Sequence, residues 1–130
     1  MSSARKTVLV MDDSAIVRDT LAAVLEASGF AVRTAATLDE LERQRAECSP
    51  DLYILDVQMP EAFGDDVGLV LRDVRQVGVP ILLFSSLDEK LLARRAHEAG
   101  LSGYVSKAAG LPALIARVGT LLGGGSGTTS

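Results

Sequence analysis

Short runs that are almost wholly apolar alternate along this chain with longer stretches in which apolar residues recur every three or four positions. Thr7-Val8-Leu9-Val10-Met11 is the first such run. Without polar alternation it predicts a strand covered on both faces. Residues 14–28 follow with Val17, Leu21, Val24, Leu25 and Ser28 at helical spacing, and Gly29 stops them. Ala31–Ala35 reads as a weaker second strand. Thr37-Leu38-Asp39-Glu40 has the form of a capping box, so a helix is expected from there to about Cys48. Pro50 breaks the chain before a third strand over 52–56. A loop holding Met59, Pro60 and Gly64 leads to a third helix marked by Val67, Val70, Leu71, Val74 and Val77, with Gly78 and Pro80 as its stop. Strand Ile81–Ser85, a helix over 89–99 ended by Gly100, and a short strand Gly103–Ser106 come next. Gly110 and Pro112 introduce a last helix with Leu111, Leu114, Ile115, Val118, Leu121 and Leu122 on one face.

Five strand–helix units in strict alternation predict an α/β fold, a parallel sheet with right-handed crossovers and helices on both faces. Ligands of such sheets bind beyond the carboxyl ends of the strands, where the strand order reverses. The unusual polar residues of this chain sit at those ends. Asp12 and Asp13 close the first run, Asp56 the third and Ser85 the fourth, while Lys107 follows the fifth.

The 130 residues are the size of one domain, and a hydrophobic content of 48% excludes disorder for most of the length. The expected unit is 6–122, with 123–130 (Gly-Gly-Gly-Ser-Gly-Thr-Thr-Ser) a flexible tail or linker stub. No apolar run approaches the roughly 20 residues of a membrane span. The first six residues lack the apolar segment of a signal peptide. A single cysteine, Cys48, leaves no internal disulfide and suits a reducing cytoplasm. The formal net charge of −4, with dispersed arginines, disfavours a nucleic-acid surface and leaves a protein partner as the expectation.

Each polar residue has an ordinary explanation. An acid after a strand can cap the next helix, with a gain of about 0.3–1 kcal/mol. A third acid at another strand end, Asp56, cannot cap the same helix. Two carboxylates about 4 Å apart repel by roughly 4 kcal/mol at an effective dielectric of 20. A hard divalent cation resolves this, and magnesium needs only one or two protein carboxylates. Lys107 would add a fixed positive charge, against the alternative of a surface lysine. Ser85 either satisfies backbone at the next helix start or donates to an oxyanion. Tyr104 has a core-packing explanation, and His97, among Arg94, Arg95 and Glu98, reads as surface.

Taken together, Met11-Asp12-Asp13-Ser14, Asp56-Val57-Gln58-Met59-Pro60, Phe84-Ser85-Ser86 and Gly103-Tyr104-Val105-Ser106-Lys107 resemble the receiver domain of two-component response regulators over nearly the whole chain. The resemblance implies a flavodoxin-like doubly wound sheet of order 2-1-3-4-5. It implies that Asp56 accepts a phosphoryl group from a sensor histidine kinase or phosphotransfer protein. Mg2+ would be held by Asp13, by Asp56 and by the Gln58 carbonyl, with Asp12 acting through water. Ser85 and Lys107 would contact the phosphoryl oxygens. Ser85 and Tyr104 would switch the face of the fourth helix, fifth strand and fifth helix toward a downstream protein, with dimerisation on phosphorylation left open. Such a domain assists its own phosphorylation and dephosphorylation without being an enzyme in its own right.

Three features depart from the family pattern. Ala108 stands where proline in a cis peptide is usual, so a trans loop that places Lys107 differently is an expectation. Ser86 replaces the usual alanine, and Glu61-Ala62-Phe63-Gly64-Asp65-Asp66 makes Phe63 a candidate partner contact. Gln58 and Leu87 occupy positions that tune dephosphorylation in the family. A dehalogenase-type hydrolase needs an acid at Gln58, a flavodoxin-like cofactor binder would be repelled by Asp12-Asp13, and there is no Gly-x-x-x-x-Gly-Lys. The remaining alternative is a receiver-like docking module that does not use phosphorylation. Whether the chain stands alone or is a piece of a longer protein is open.

Overall fold

The computed structural model describes residues 5–58 and 63–122. Within them β1 (Thr7–Met11), β2 (Ala31–Ala35), β3 (Leu52–Leu55), β4 (Ile81–Ser85) and β5 (Gly103–Ser106) form one parallel sheet in the order β2-β1-β3-β4-β5. Helices α1 (Ala15–Ala27), α2 (Leu38–Cys48), α3 (Gly64–Asp73), α4 (Glu89–Glu98) and α5 (Leu111–Leu121) fill the connections and follow β5. The doubly wound expectation and its strand order both hold. The chain runs outward from β1 to β2, then returns past β1 to β3, so the crevice at the order reversal opens between the ends of β1 and β3.

The two-faced burial of the strands explains the missing polar alternation. Leu9, Met11, Tyr53, Leu55, Ile81 and Leu83 pack with Leu41 of α2, Val67 and Leu71 of α3, and Leu92 and Ala96 of α4. Their neighbours Val8, Val10, Leu52, Ile54, Leu82 and Phe84 point the other way, onto Leu21 and Leu25 of α1 and Leu114 and Val118 of α5. Each fully buried Leu or Ile contributes about 1.5–3 kcal/mol, so both faces of β1, β3 and β4 are committed. The edge strands β2 and β5 are only partly buried, which is why β2 reads weakly.

The expected ends of the first two helices hold, with one difference of detail. Ser14 and Ser28 flank α1 as caps: the Ser14 Oγ accepts from Val17 N at 3.3 Å, and the Ser28 Oγ donates to Val24 O at 2.9 Å. Thr37 caps α2 by accepting from Glu40 N at 3.2 Å. Glu40 reaches back to Ala36 N at 2.6 Å, one residue before the N-cap itself.

The third helix is shorter than its apolar spacing predicts. It ends at Asp73, and Gln76 takes a left-handed conformation (φ 56°) while Val77 N bonds to Leu71 O at 2.9 Å. The chain is thus turned back without glycine, by a bond one residue longer than the Schellman bond. Val67 and Leu71 face the sheet, Val77 packs on the core from the loop, and Val70 and Val74 are exposed. Glu98 ends α4, one residue before the expected limit, and Asp56 lies just beyond β3. Met59, Pro60, Glu61, Ala62 and the 123–130 tail lie outside the described residues. No helix among the described residues is long and apolar enough to cross a membrane.

Candidate functional site

The ladders of β1 with β3 and with β2 both run past the strand ends. Asp56 N donates to Met11 O at 3.1 Å, and Asp12 N donates to Ala35 O at 3.2 Å. These bonds lock the backbone of both acids at the mouth of the crevice, with Asp12 2% and Asp56 7% exposed. Each carboxylate spends one oxygen on its own turn: Asp12 Oδ1 accepts from Ser14 N at 2.9 Å, and Asp56 Oδ1 from Gln58 N at 3.3 Å. Their other oxygens converge on Lys107, whose Nζ is 3.0 Å from Asp12 Oδ2 and 3.3 Å from Asp56 Oδ2.

Asp13 is exposed and has neither hydrogen bond nor ion pair to the described residues. Carboxylate oxygens of Asp12, Asp13 and Asp56 nevertheless lie within 4.8 Å of one another. Lys107 offsets part of this negative charge, and the excess fits a hard divalent cation bound through oxygen. Among the described residues this is an all-oxygen donor set with a free carboxylate at its open side, the chemistry Mg2+ takes.

Burial works against the Lys107 ammonium, but the Asp12 hydrogen bond and the charges of Asp56 and Asp12 outweigh it, leaving its pKa above the ordinary lysine value. A raised folded-state value means the pairing stabilises fully below the unfolded pKa of about 10.4 and is lost only as pH climbs through the folded one. Denaturation followed by circular dichroism is therefore expected to show a Lys107-linked loss of stability only in the alkaline range. Lys107→Met should remove that component. A Lys107-dependent change between pH 6 and 9 would contradict the pairing.

Lys107 reaches both acids although the peptide before Ala108 is trans, as are all peptides among the described residues. The expectation of a trans loop holds; that of a displaced lysine does not. Lys107 opens a 3-10 turn (Lys107–Ala109) in which Ala108 N donates to Ser106 Oγ at 3.1 Å, a bond proline could not make.

Ser85 is fully buried at the end of β4, paired in register with Ser106. Its Oγ accepts from Leu87 N at 3.3 Å, which leaves the hydroxyl hydrogen free to donate. Gln58 is exposed and bridges to Phe63 across the loop. Tyr104 is half-buried beside a cavity of about 200 Å³ that it lines with Glu89, Ala109, Ala113 and Arg117. His97 is exposed, as expected.

Sequence reasoning missed three contributors. Arg18 Nη1 donates to Asp12 O at 2.7 Å and ties the first turn of α1 to the acid-bearing loop. Gly64 packs so closely on the Asp56 carbonyl that a Cβ would fall 1.9 Å from it. Arg95 of α4 pairs with Asp65 at 3.2 Å and covers the Phe63 ring at 5.4 Å. The alternation of residue types carries no signal for the first, a side-chain bond to a backbone carbonyl, or for the last, which depends on tertiary approach. A glycine opening a helix was the available hint for Gly64.

A family model described as the response regulator receiver domain matches residues 8–119. The Escherichia coli KDP operon transcriptional regulatory protein KdpE is 36% identical over 95% of this chain and 54% of its own length. The Synechococcus elongatus alkaline phosphatase synthesis transcriptional regulatory protein SphR is 35% identical over 93% of this chain and 50% of its own. The chain thus spans about half the length of these two relatives. The BeF3-activated N-terminal receiver domain of Klebsiella pneumoniae RstA superposes with a TM-score of 0.82 at 29% identity, covering 90% of this chain and 98% of that one.

Proposed function

We propose that this chain, which belongs to the response regulator receiver domain family, receives a phosphoryl group on Asp56 and passes the signal on through a protein contact. The observation that carries the reading is the convergence of Lys107 on Asp12 and Asp56, with Asp13 free beside them. A carboxylate oxygen of Asp56 attacks the phosphorus of a phosphohistidine on a histidine kinase or phosphotransfer protein. The P–N bond breaks as the P–O bond forms, and the imidazole takes its proton from water. Asp13, Asp56 and the Gln58 carbonyl would hold Mg2+, with Asp12 through water. The ion supplies positive charge against the transferring oxygens.

The chain's own groups do the rest. Lys107 pairs with one phosphoryl oxygen, and the Ser85 hydroxyl donates to another. Burial of Asp56 keeps competing water to a minimum. Once Asp56 carries the phosphoryl group, its added charge draws Ser85 inward. Tyr104, with open space at its side, can then repack between α4, β5 and α5. That face would meet the downstream partner, or a second copy on phosphorylation, and 6–122 would be the working unit. The reach of Lys107 to both acids, with Ala108 in place of the usual proline, weighs against the docking-module alternative.

Labelling by acetyl phosphate tests the reading. Alkali- and hydroxylamine-labile incorporation is expected with Mg2+, and none with excess EDTA. Incorporation that persists without a divalent ion would overturn the metal assignment, and none under either condition would overturn the phosphoacceptor reading.

A further inference from the structure

Lys107 has a third contact that the acid pocket does not explain. Its Nζ lies 5.7 Å from the centroid of the Phe84 ring, within the range of a cation–π attraction. Phe84 is 4% exposed and pairs with Val105, two residues before the lysine. Strand alternation turns it away from Ser85, into the cluster with Val10, Leu21 and Leu114. The ring is therefore immobilised from below. Above it, the ring and the Lys107 stem line one cavity of about 200 Å³ together with Ile16, Thr20 and Leu111.

The 3-10 turn fixes the Lys107 backbone, but the side chains that follow it offer its stem no packing. Ala108 and Ala109 are exposed and carry only methyl groups, and Gly110 follows. A lysine stem has four rotatable bonds and high rotamer entropy. Its carboxylate partners also change character in use, since Asp56 becomes an acyl phosphate. The Phe84 face keeps the same chemistry before and after transfer.

We propose that Phe84 is a positioning residue for Lys107, its core-anchored ring holding the ammonium over the acid pocket in both states of Asp56. This rests on the phosphoacceptor reading for its functional consequence, though not for the contact itself. A bulky apolar residue at 84 would suffice if it only filled the core. What distinguishes the two roles is the aromatic face.

The experiment uses the full chain with Phe84→Leu, Phe84→Met as a second ring-free variant if the first fails to fold, and Phe84→Tyr, which keeps the face. Each is measured alone and combined with Lys107→Met. Loss of the ring is expected to slow acetyl phosphate labelling about three- to tenfold, with Phe84→Tyr staying close to wild type. In the Lys107→Met background the same substitutions should leave the residual rate unchanged. By NMR, the Lys107 ε-methylene protons should lose their ring-current shift in Phe84→Leu, and the side chain should become more mobile. Equal slowing in both backgrounds, or an ε-methylene as ordered without the ring as with it, would overturn the proposal. If wild-type protein takes no label at all, the phosphoacceptor reading fails, and the NMR arm alone decides the positioning role.

Discussion

Asp56→Asn is expected to abolish phosphoryl labelling while the protein stays folded. The asparagine keeps the shape of the side chain, and its Oδ1 can still accept from Gln58 N, the bond the carboxylate makes at 3.3 Å. Lys107 retains Asp12, its nearer partner at 3.0 Å. What disappears is one charge from three carboxylates that lie within 4.8 Å of one another. Without metal, the variant should be as stable as wild type or more stable by about 1 kcal/mol, because relief of repulsion offsets the lost pairing with Lys107. With millimolar Mg2+ the order should invert. A ligand that binds only the native state stabilises it by mass action, and removal of a charged ligand should weaken Mg2+ affinity on the order of tenfold or more. Urea denaturation with and without Mg2+, run beside the labelling assay, checks both halves. Retained labelling in Asp56→Asn would move the acceptor to another residue.

Gly64→Ala should damage the protein more than its single methyl suggests. A Cβ there would lie 1.9 Å from the Asp56 carbonyl oxygen and 2.6 Å from its carbon, and neither is a flexible side-chain end. Gly64 N also donates to Val57 O at 3.0 Å, so the helix start and the strand end cannot simply part. Relief requires shifting the backbone that aims the Asp56 carboxylate. A loss of about 1–3 kcal/mol is expected, together with weaker Mg2+ binding. Gly119, in α5, is the control: a Cβ there meets nothing within 4 Å, so Gly119→Ala should stabilise by roughly 0.5–1 kcal/mol. Urea midpoints of the two variants, compared with wild type, decide it. If Gly64→Ala matched wild type in both stability and Mg2+ affinity, the close approach would have no role in aiming Asp56.

The sheet was legible because its inner strands are buried on both faces and so carry unbroken apolar runs, as in Leu52-Tyr53-Ile54-Leu55. Helix stops were legible where glycine makes the left-handed turn, as at Gly29 and Gly100. They were misread where Gln76 makes it instead, because the glycine and proline beyond it looked like the stop. The acids were legible by their position after strands. Burial and pairing of those acids were not, since Asp12 and Asp13 are adjacent and identical in type, yet only Asp12 is inside. That difference comes from which side of the β1 exit each side chain takes. Arg95 and Phe84 make their contacts across the fold, and no local pattern marks such contacts.

The ion pair between Lys107 and Asp12 joins residues 95 positions apart, and that between Lys107 and Asp56 joins residues 51 apart. A ribosome making this chain delivers all three acids well before the lysine. Until residue 107 has emerged and β5 has docked, the crowded carboxylates lack the fixed cation that pairs with two of them. Competence arrives in a single event, with closure of the last strand.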